Sequence, residues 1–305
     1  MIKIVFFGTN IESMPALHTL FLDTRISISS IVTAEPKPIG RKQKLIDGPV
    51  LEFAKENNIP VLFDSDSNLI ARLREHQTDL QIVVSYGRIL KQDVLTIPRF
   101  GSINVHPSLL PRFRGPAPVP FTILAGEDKT GVTIIQMDEK MDHGQILAME
   151  QITLHGDENT PELLMRLMKL GAEMLLDVIA NTVSGKQIAT EQNHNDATFS
   201  KMLTRDDGRL PIRESPIVWE RMVRALNPWP GVWCEVLQND KPTRIKIHDA
   251  HLSGTGDTSD TIREIDGKIH IGSFILDTIQ FEGAKITSGI TFAKTHKSYS
   301  ALIVE

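Results

Sequence analysis

Cysteine is almost absent from this chain: Cys234 is the only one in 305 residues. Internal disulfides and a thiolate zinc cluster are therefore excluded, and a reducing, cytoplasmic setting is expected. No basic excess exists either. Net charge is −5 with a sequence pI near 6.1, so no global field advertises a polyanionic partner, although a local patch could still form. Long apolar runs are missing as well. The opening MIKIVFFGTN is apolar for a few residues and reaches Gly8 at once, too short for a signal peptide or a membrane span. Gly8 has no second or third glycine in G-x-G-x-x-G spacing and no P-loop lysine follows, which favours a plain strand-to-helix turn over a nucleotide site. His248 and His251 lack the partners a metal site needs, so no metal is expected.

What is present is a soluble globular composition, 41% hydrophobic and 23% charged, in a chain longer than one core usually organises. Short β-branched runs occur at Ile2–Phe7, Ile26–Thr33, Pro60–Phe63, Leu80–Ser85, Ser102–His106 and Val132–Met137. Helical patterns at Val50–Asn57 and Asn68–His76 lie among them. Strands alternating with helices predict an α/β domain with a Rossmann-like, mostly parallel sheet covered on both faces. Thr160-Pro161-Glu162 opens a further helix with a capping hydroxyl, an early proline and an acid. Leu163, Leu167, Met168, Leu175, Val178 and Ile179 form part of its apolar stripe, and Gly185 stops it.

From Lys186 the chain is polar and aperiodic, as a linker is. A helix at Pro216–Leu226 and the turn Asn227-Pro228-Trp229-Pro230-Gly231 come next. Strand-like runs follow at Val232–Leu237, Arg244–Leu252, Ile262–Ile265 and Lys268–Phe281, with Asp266-Gly267 as a hairpin signal. The expected organisation is an α/β domain over residues 1–185, a linker over 186–204, and a smaller, mainly β domain, an open OB-like barrel, over 205–305.

Two stretches carry chemistry. In Glu35–Gly48, EPKPIGRKQKLIDG, the cations Lys37, Arg41, Lys42 and Lys44 stand among prolines and glycines. A solvated loop and a finger touching nucleic-acid phosphates are both consistent with that composition. In Ile103–Gly115, INVHPSLLPRFRG, strand alternation puts Asn104 and His106 on one face and Ile103 and Val105 on the other. In a parallel sheet, ligands bind at the carboxyl ends of strands, where these two project. An Asn amide can hold a developing oxyanion and a His can move a proton near neutral pH. Asp142, after the next β run, is the candidate to orient the histidine. With no Ser or Cys nucleophile in the set, direct attack by a substrate group is the implied chemistry. For an isolated Asn-x-His, capping a strand end is the simpler account.

The whole stretch Asn104–Gly115 resembles the signature of the 10-formyltetrahydrofolate-dependent formyltransferases. Gly131–Asp138 and Met141-Asp142-His143-Gly144 resemble the companion motif with its essential aspartate. Within that superfamily the chain is most similar to the branch that formylates methionyl-initiator tRNA, on Pro36–Gly48, Gln136-Met137-Asp138 and Asn227-Pro228-Trp229-Pro230. The resemblance implies catalytic Asn104, His106 and Asp142. It implies a tetrahydrofolate pocket along Tyr86, Gly87, Ile89, Leu90, Ser108, Leu109, Leu110 and Pro111, and a tRNA contact through Lys37, Arg41, Lys42 and Lys44. No metal or membrane is implied, and a monomer is expected. Asn10 replaces a common proline and His143 a common small residue or threonine. From Arg205 onward 13 Lys or Arg face 14 Asp or Glu, so a basic C-terminal face would require segregation of charge. An amino-sugar-nucleotide formyltransferase, a catalytically silent folate- or RNA-binding protein, and a formyl-folate hydrolase are the alternatives.

Overall fold

The computed structural model describes residues 1–39, 44–211, 214–238, 241–253, 261–296 and 300–304. The chain forms two compact units. The first comprises residues 1–118, 129–153 and 162–201, and the second residues 119–128, 154–161 and 202–305.

In the first unit the strands are β1 (Ile2–Phe7), β2 (Ile26–Thr33), β3 (Lys37–Ile39), β4 (Lys44–Ile46), β5 (Val61–Phe63), β6 (Leu80–Val83), β7 (Ser102–His106), β8 (Lys129–Gln136) and β9 (Ile146–Thr153). Seven of them make one sheet, ordered β5-β2-β1-β6-β7-β8-β9. The pairings are parallel from β5 to β7 and antiparallel from β7 to β9. The expected mostly parallel sheet is therefore present, and β7 stands where its direction changes. β9 is the strand the pattern hides. As an edge strand it exposes Glu150 and Gln151, so apolar alternation is lost. β3 and β4 pair with each other as a separate ribbon, so the basic stretch expected as a loop is a hairpin at its described ends.

Both faces of the sheet are apolar. Ile4, Phe6, Ile82, Ile103, Val105 and Ile134 face one core, with helices α1 (Met14–Leu22) and α2 (Pro49–Glu56) contributing. Val5, Phe7 and Val83 face the other, with α3 (Leu69–Glu75) and α4 (Gln92–Leu95). After α5 (Pro118–Ala125) comes α6 (Thr160–Val183), whose Met168, Ala172, Leu175, Val178 and Ile179 lie on the first core, as the sequence stripe predicts. Gly185 ends the stretch at φ +70°. Among the described residues no helix is long and apolar enough to cross a membrane.

The second unit contains α7 (Pro216–Leu226), strands β10 (Val232–Gln238), β11 (Lys241–Leu252), β12 (Thr261–Ile265), β13 (Lys268–Ile271), β14 (Phe274–Phe281) and β15 (Thr287–Ser288), helix α8 (Gly289–Thr295), and β16 (Ser300–Val304). All its pairings are antiparallel, and β11 pairs with both β10 and β14, so the mainly β unit expected is present but its strands close into a ring where an open barrel is expected. Asp266 and Gly267, both at positive φ, turn the β12–β13 hairpin. The carboxamide of Asn227 ties the end of α7 to β11, its Nδ2 donating to the carbonyls of Ile247 and His248.

One contact sets how closely α6 approaches β7. A Cβ on Gly171 would lie 2.4 Å from Val105 Cγ1 and 3.0 Å from Val132 Cγ2. Alanine in a helix gains about 1 kcal/mol over glycine, but inserting a methyl into a packed core costs about 1–3 kcal/mol. Gly171→Ala should therefore be net destabilising in urea unfolding, against the helix-propensity expectation.

Candidate active site

The site begins with the parity of β7. Ile103 and Val105 are buried in the α6 core, which turns Asn104 and His106 to the opposite face. Asn104 lies beside Val83 of β6 and Ile135 of β8, and His106 beside Thr133. The Asn104 side chain is half-buried and makes no hydrogen bond to any described residue, leaving its amide open to a ligand. His106 is 4% exposed. Its Nε2 lies 3.0 Å from the carbonyl of Phe113 and its Nδ1 3.6 Å from Asp142 Oδ1. A carbonyl accepts only from a protonated nitrogen, so the hydrogen-bond pattern assigns the neutral tautomer as Nε2–H. A proton taken up at Nδ1 would then sit between imidazole and carboxylate. Of the three residues named from sequence, His106 and Asp142 come within 3.6 Å of each other, by the return of the chain after β8, and Asn104 shares the face of β7 that carries His106.

Asp142 is at φ +49°, left-handed for a residue with a side chain. Its Oδ2 accepts from the Gly115 amide at 2.7 Å. The residues that hold this loop were not singled out from sequence. Gln192 Nε2 donates to the carbonyls of Asp142 and Gly144, and Gln192 Oε1 accepts from Nε and Nη2 of Arg114. Arg114 is 4% exposed and its side-chain partners are neutral, Gln192 and the Nδ1 of His194 at 2.8 Å. Burial draws its pKa down, while Asp142 and Asp138 at longer range oppose that. Since Arg114 donates to His194 Nδ1, that ring is neutral there. Its pKa is lowered first by desolvation and then by its neighbours His143 and Arg114. His143 stacks on His194 with ring centres 4.0 Å apart, and its Nδ1 meets Asp138 Oδ2 at 2.6 Å rather than Asp142. Gln192 and His194 lie in the stretch that reads as a linker. Polar, aperiodic sequence is also what a strap of side-chain hydrogen bonds looks like, and nothing in its pattern separates the two.

The proposed folate-lining residues divide by exposure. Tyr86 and Leu90 are core residues, Tyr86 edge-on to Phe7 with ring centres 5.3 Å apart. Burial first, then Asp64, push the Tyr86 phenol up to about 12. Ser108 is fully buried and its hydroxyl donates to the Arg112 carbonyl, so it closes the loop instead of lining a cleft. Leu110 is buried too, its amide donating to Thr133 Oγ1, which itself donates to the Ser108 carbonyl. Thr133 thus pins the Ser108–Leu110 segment to β8, on the face of the sheet that carries Asn104 and His106. Gly87, Ile89, Leu109 and Pro111 keep accessible surface, Ile89 being 72% exposed. Lys37 is exposed on β3 and Lys44 begins β4, whereas Arg41 and Lys42 lie outside the described residues. His251 pairs with Asp277 and His248 with Gln280, and no set of three metal-ligating side chains gathers among the described residues.

Comparison with known proteins gives the chain a family. Residues 2–179 match the formyl transferase family, and residues 202–297 its C-terminal domain. A methionyl-tRNA formyltransferase of Roseiflexus castenholzii is 35% identical over 290 residues, 93% of each chain. One from Herpetosiphon aurantiacus is 36% identical over 288 residues, 92% of this chain and 93% of the relative. Among solved structures, the Helicobacter canadensis N-formyltransferase complexed with folinic acid and dTDP-3-aminofucose superposes with a TM-score of 0.65 at 17% identity, covering 94% of this chain and all of that one. That likeness speaks for the fold alone.

Two residues past Asp142, a Cβ on Gly144 would fall 1.7 Å from the Gln136 carbonyl oxygen. Backbone cannot yield as a side-chain tip can, so Gly144→Ala must displace the Asp142 loop. Displacements of about 1 Å at reacting groups cost on the order of 100-fold in rate. Steady-state kinetics should show a kcat loss of that order.

Proposed function

The chain belongs to the formyl transferase family, and from that premise we propose that it moves the formyl group of 10-formyltetrahydrofolate to the α-amino group of methionyl-initiator tRNA. The observation that carries the choice of acceptor is the extent of likeness to methionyl-tRNA formyltransferases, 35% identity over 93% of both chains. The likeness to an aminosugar enzyme at 17% identity favours the second reading, transfer to an amino-sugar nucleotide, far less.

In this reading the substrate amine attacks the formyl carbon directly, the carbon becomes tetrahedral and its oxygen an oxyanion, and collapse breaks the bond from that carbon to N10 of the folate, which takes up the proton the amine has shed and leaves as tetrahydrofolate. The open Asn104 amide would donate to that oxygen. A proton shared between His106 Nδ1 and Asp142 Oδ1 would supply positive charge beside it, and the carboxylate would accept the proton shed by the amine, directly or through water. Among the pocket residues, Gly87, Ile89, Leu109 and Pro111 have the surface to meet a folate, with Tyr86, Ser108, Leu110 and Leu90 shaping the wall from behind. A flat heteroaromatic ring suits such a mostly apolar slot. The basic stretch, with Lys37 on β3, Lys44 on β4, and Arg41 and Lys42 between them in sequence, would grip acceptor-stem phosphates. In the second unit Arg209 and Arg244 stack near Trp233, the latter with its guanidinium carbon 3.9 Å from the ring centre, and both pair with Glu235. The remaining cations of that unit, Lys246 among them, would supply its tRNA contacts.

Formyl transfer measured side by side on methionyl-initiator tRNA, on an amino-sugar nucleotide and with no acceptor tests this reading. Turnover should appear with the tRNA only; activity on the sugar alone, or formate release without acceptor, would overturn it. Asn104→Ala should lower kcat by about 100- to 1000-fold, or about 3–4 kcal/mol, which also separates an enzyme from a silent binder. Arg41→Ala should raise KM for tRNA, leave KM for the folate near wild type, and flatten the salt dependence of tRNA binding. Steady-state kinetics and tRNA binding measured across a salt series read this out, and slopes identical to wild type would return the basic stretch to a solvated role.

A further inference from the structure

Gln192 uses every hydrogen-bonding position of its carboxamide inside the first unit, and it is 4% exposed. Its two N–H bonds point to the carbonyls of Asp142 (2.9 Å) and Gly144 (2.8 Å). Its oxygen receives Arg114 Nη2 (2.7 Å) and Nε (3.2 Å). Turning the amide over would set an oxygen against two carbonyls and an NH2 against a guanidinium, so only one orientation satisfies the site. Arg114 is itself held by this downstream stretch, its amide donating to the Thr198 carbonyl and its carbonyl accepting from Ser200.

The consequence is a bridge between two loops. One follows β7 and carries the Phe113 carbonyl that fixes His106, and Gly115, whose amide donates to Asp142 Oδ2. The other carries Asp142 at its left-handed backbone angle. Gln192 touches both, and it touches the aspartate through its main chain, leaving the carboxylate to face His106. We propose that Gln192 is a positioning residue for formyl transfer, setting the Asp142 carboxylate against His106 by holding the Asp142 and Gly144 carbonyls to the buried Arg114. This rests on the catalytic assignment of Asp142 above.

Gln192→Glu in the full-length chain isolates the effect. Glutamate keeps an acceptor for Arg114, so the strap stays anchored, but it loses both donors to the Asp142 loop. Two readouts are taken on the same preparation. Steady-state kinetics should show kcat reduced about 10- to 100-fold, the scale of lost supporting contacts around a reactive group, with KM for both substrates near wild type. NMR should show the Gly115 amide proton moving upfield towards its position in Asp142→Asn, because the carboxylate no longer accepts from it. If the glutamate does not fold, Gln192→Asn, which keeps the carboxamide but falls one methylene short, carries the same measurements. An unmoved Gly115 resonance, or a loss confined to KM, would overturn the proposal. Asp142→Asn tells the two layers apart: if that variant turns over at the wild-type rate, the catalytic assignment fails, while the Gly115 resonance in the Gln192 variant still reports on the bridge.

Discussion

Everything at the site depends on the two-residue period of β7. Because Ile103 and Val105 must be buried under α6, Asn104 and His106 have no choice of face. A slip of one residue would bury an amide and an imidazole in an apolar core and turn two aliphatic side chains to the ligand side, so the hydrophobic term enforces the polar one. The strand also sits at the change from parallel to antiparallel pairing. Its neighbour β8 can therefore return directly beside it, and the loop after β8 brings Asp142 back to the imidazole.

That dependence explains what could be read without coordinates. Alternation alone pairs Asn104 with His106 on one face, and Asp142 is the acid that follows the next β run; in the structure His106 lies against Asp142, with Asn104 on the same face of β7. The parallel strands were legible because each is a short run rich in β-branched and other apolar residues between helical patterns, and α6 because its stripe spans a long helix. The Asp266-Gly267 turn was legible because few dipeptides tolerate two positive φ angles in succession.

The rest was hidden for physical reasons. Apolar type does not tell a pocket wall from a core residue: Leu90 is in the core whereas Ile89, one position earlier, is exposed. Ser108 looks like a ligand contact by its hydroxyl, yet the hydroxyl is spent on a carbonyl four residues away. The short ribbon of β3 and β4 contains a proline and joins no larger sheet, so no alternation announces it. Gln192 and Arg114 are 78 residues apart, and side-chain hydrogen bonds have no period.

The buried guanidinium of Arg114 also bears on how this protein can be divided. Asn104, His106 and Asp142 all precede α6, whose last turn ends at Val183. A fragment cut there would retain the whole first sheet together with Asn104, His106 and Asp142. It would also leave a cation in the interior with neither Gln192 nor His194 to receive it, and two carbonyls beside the aspartate with no donor. The first unit is therefore longer than its sheet and helices suggest, and it runs past Ser200, where the strap makes its last bond to Arg114.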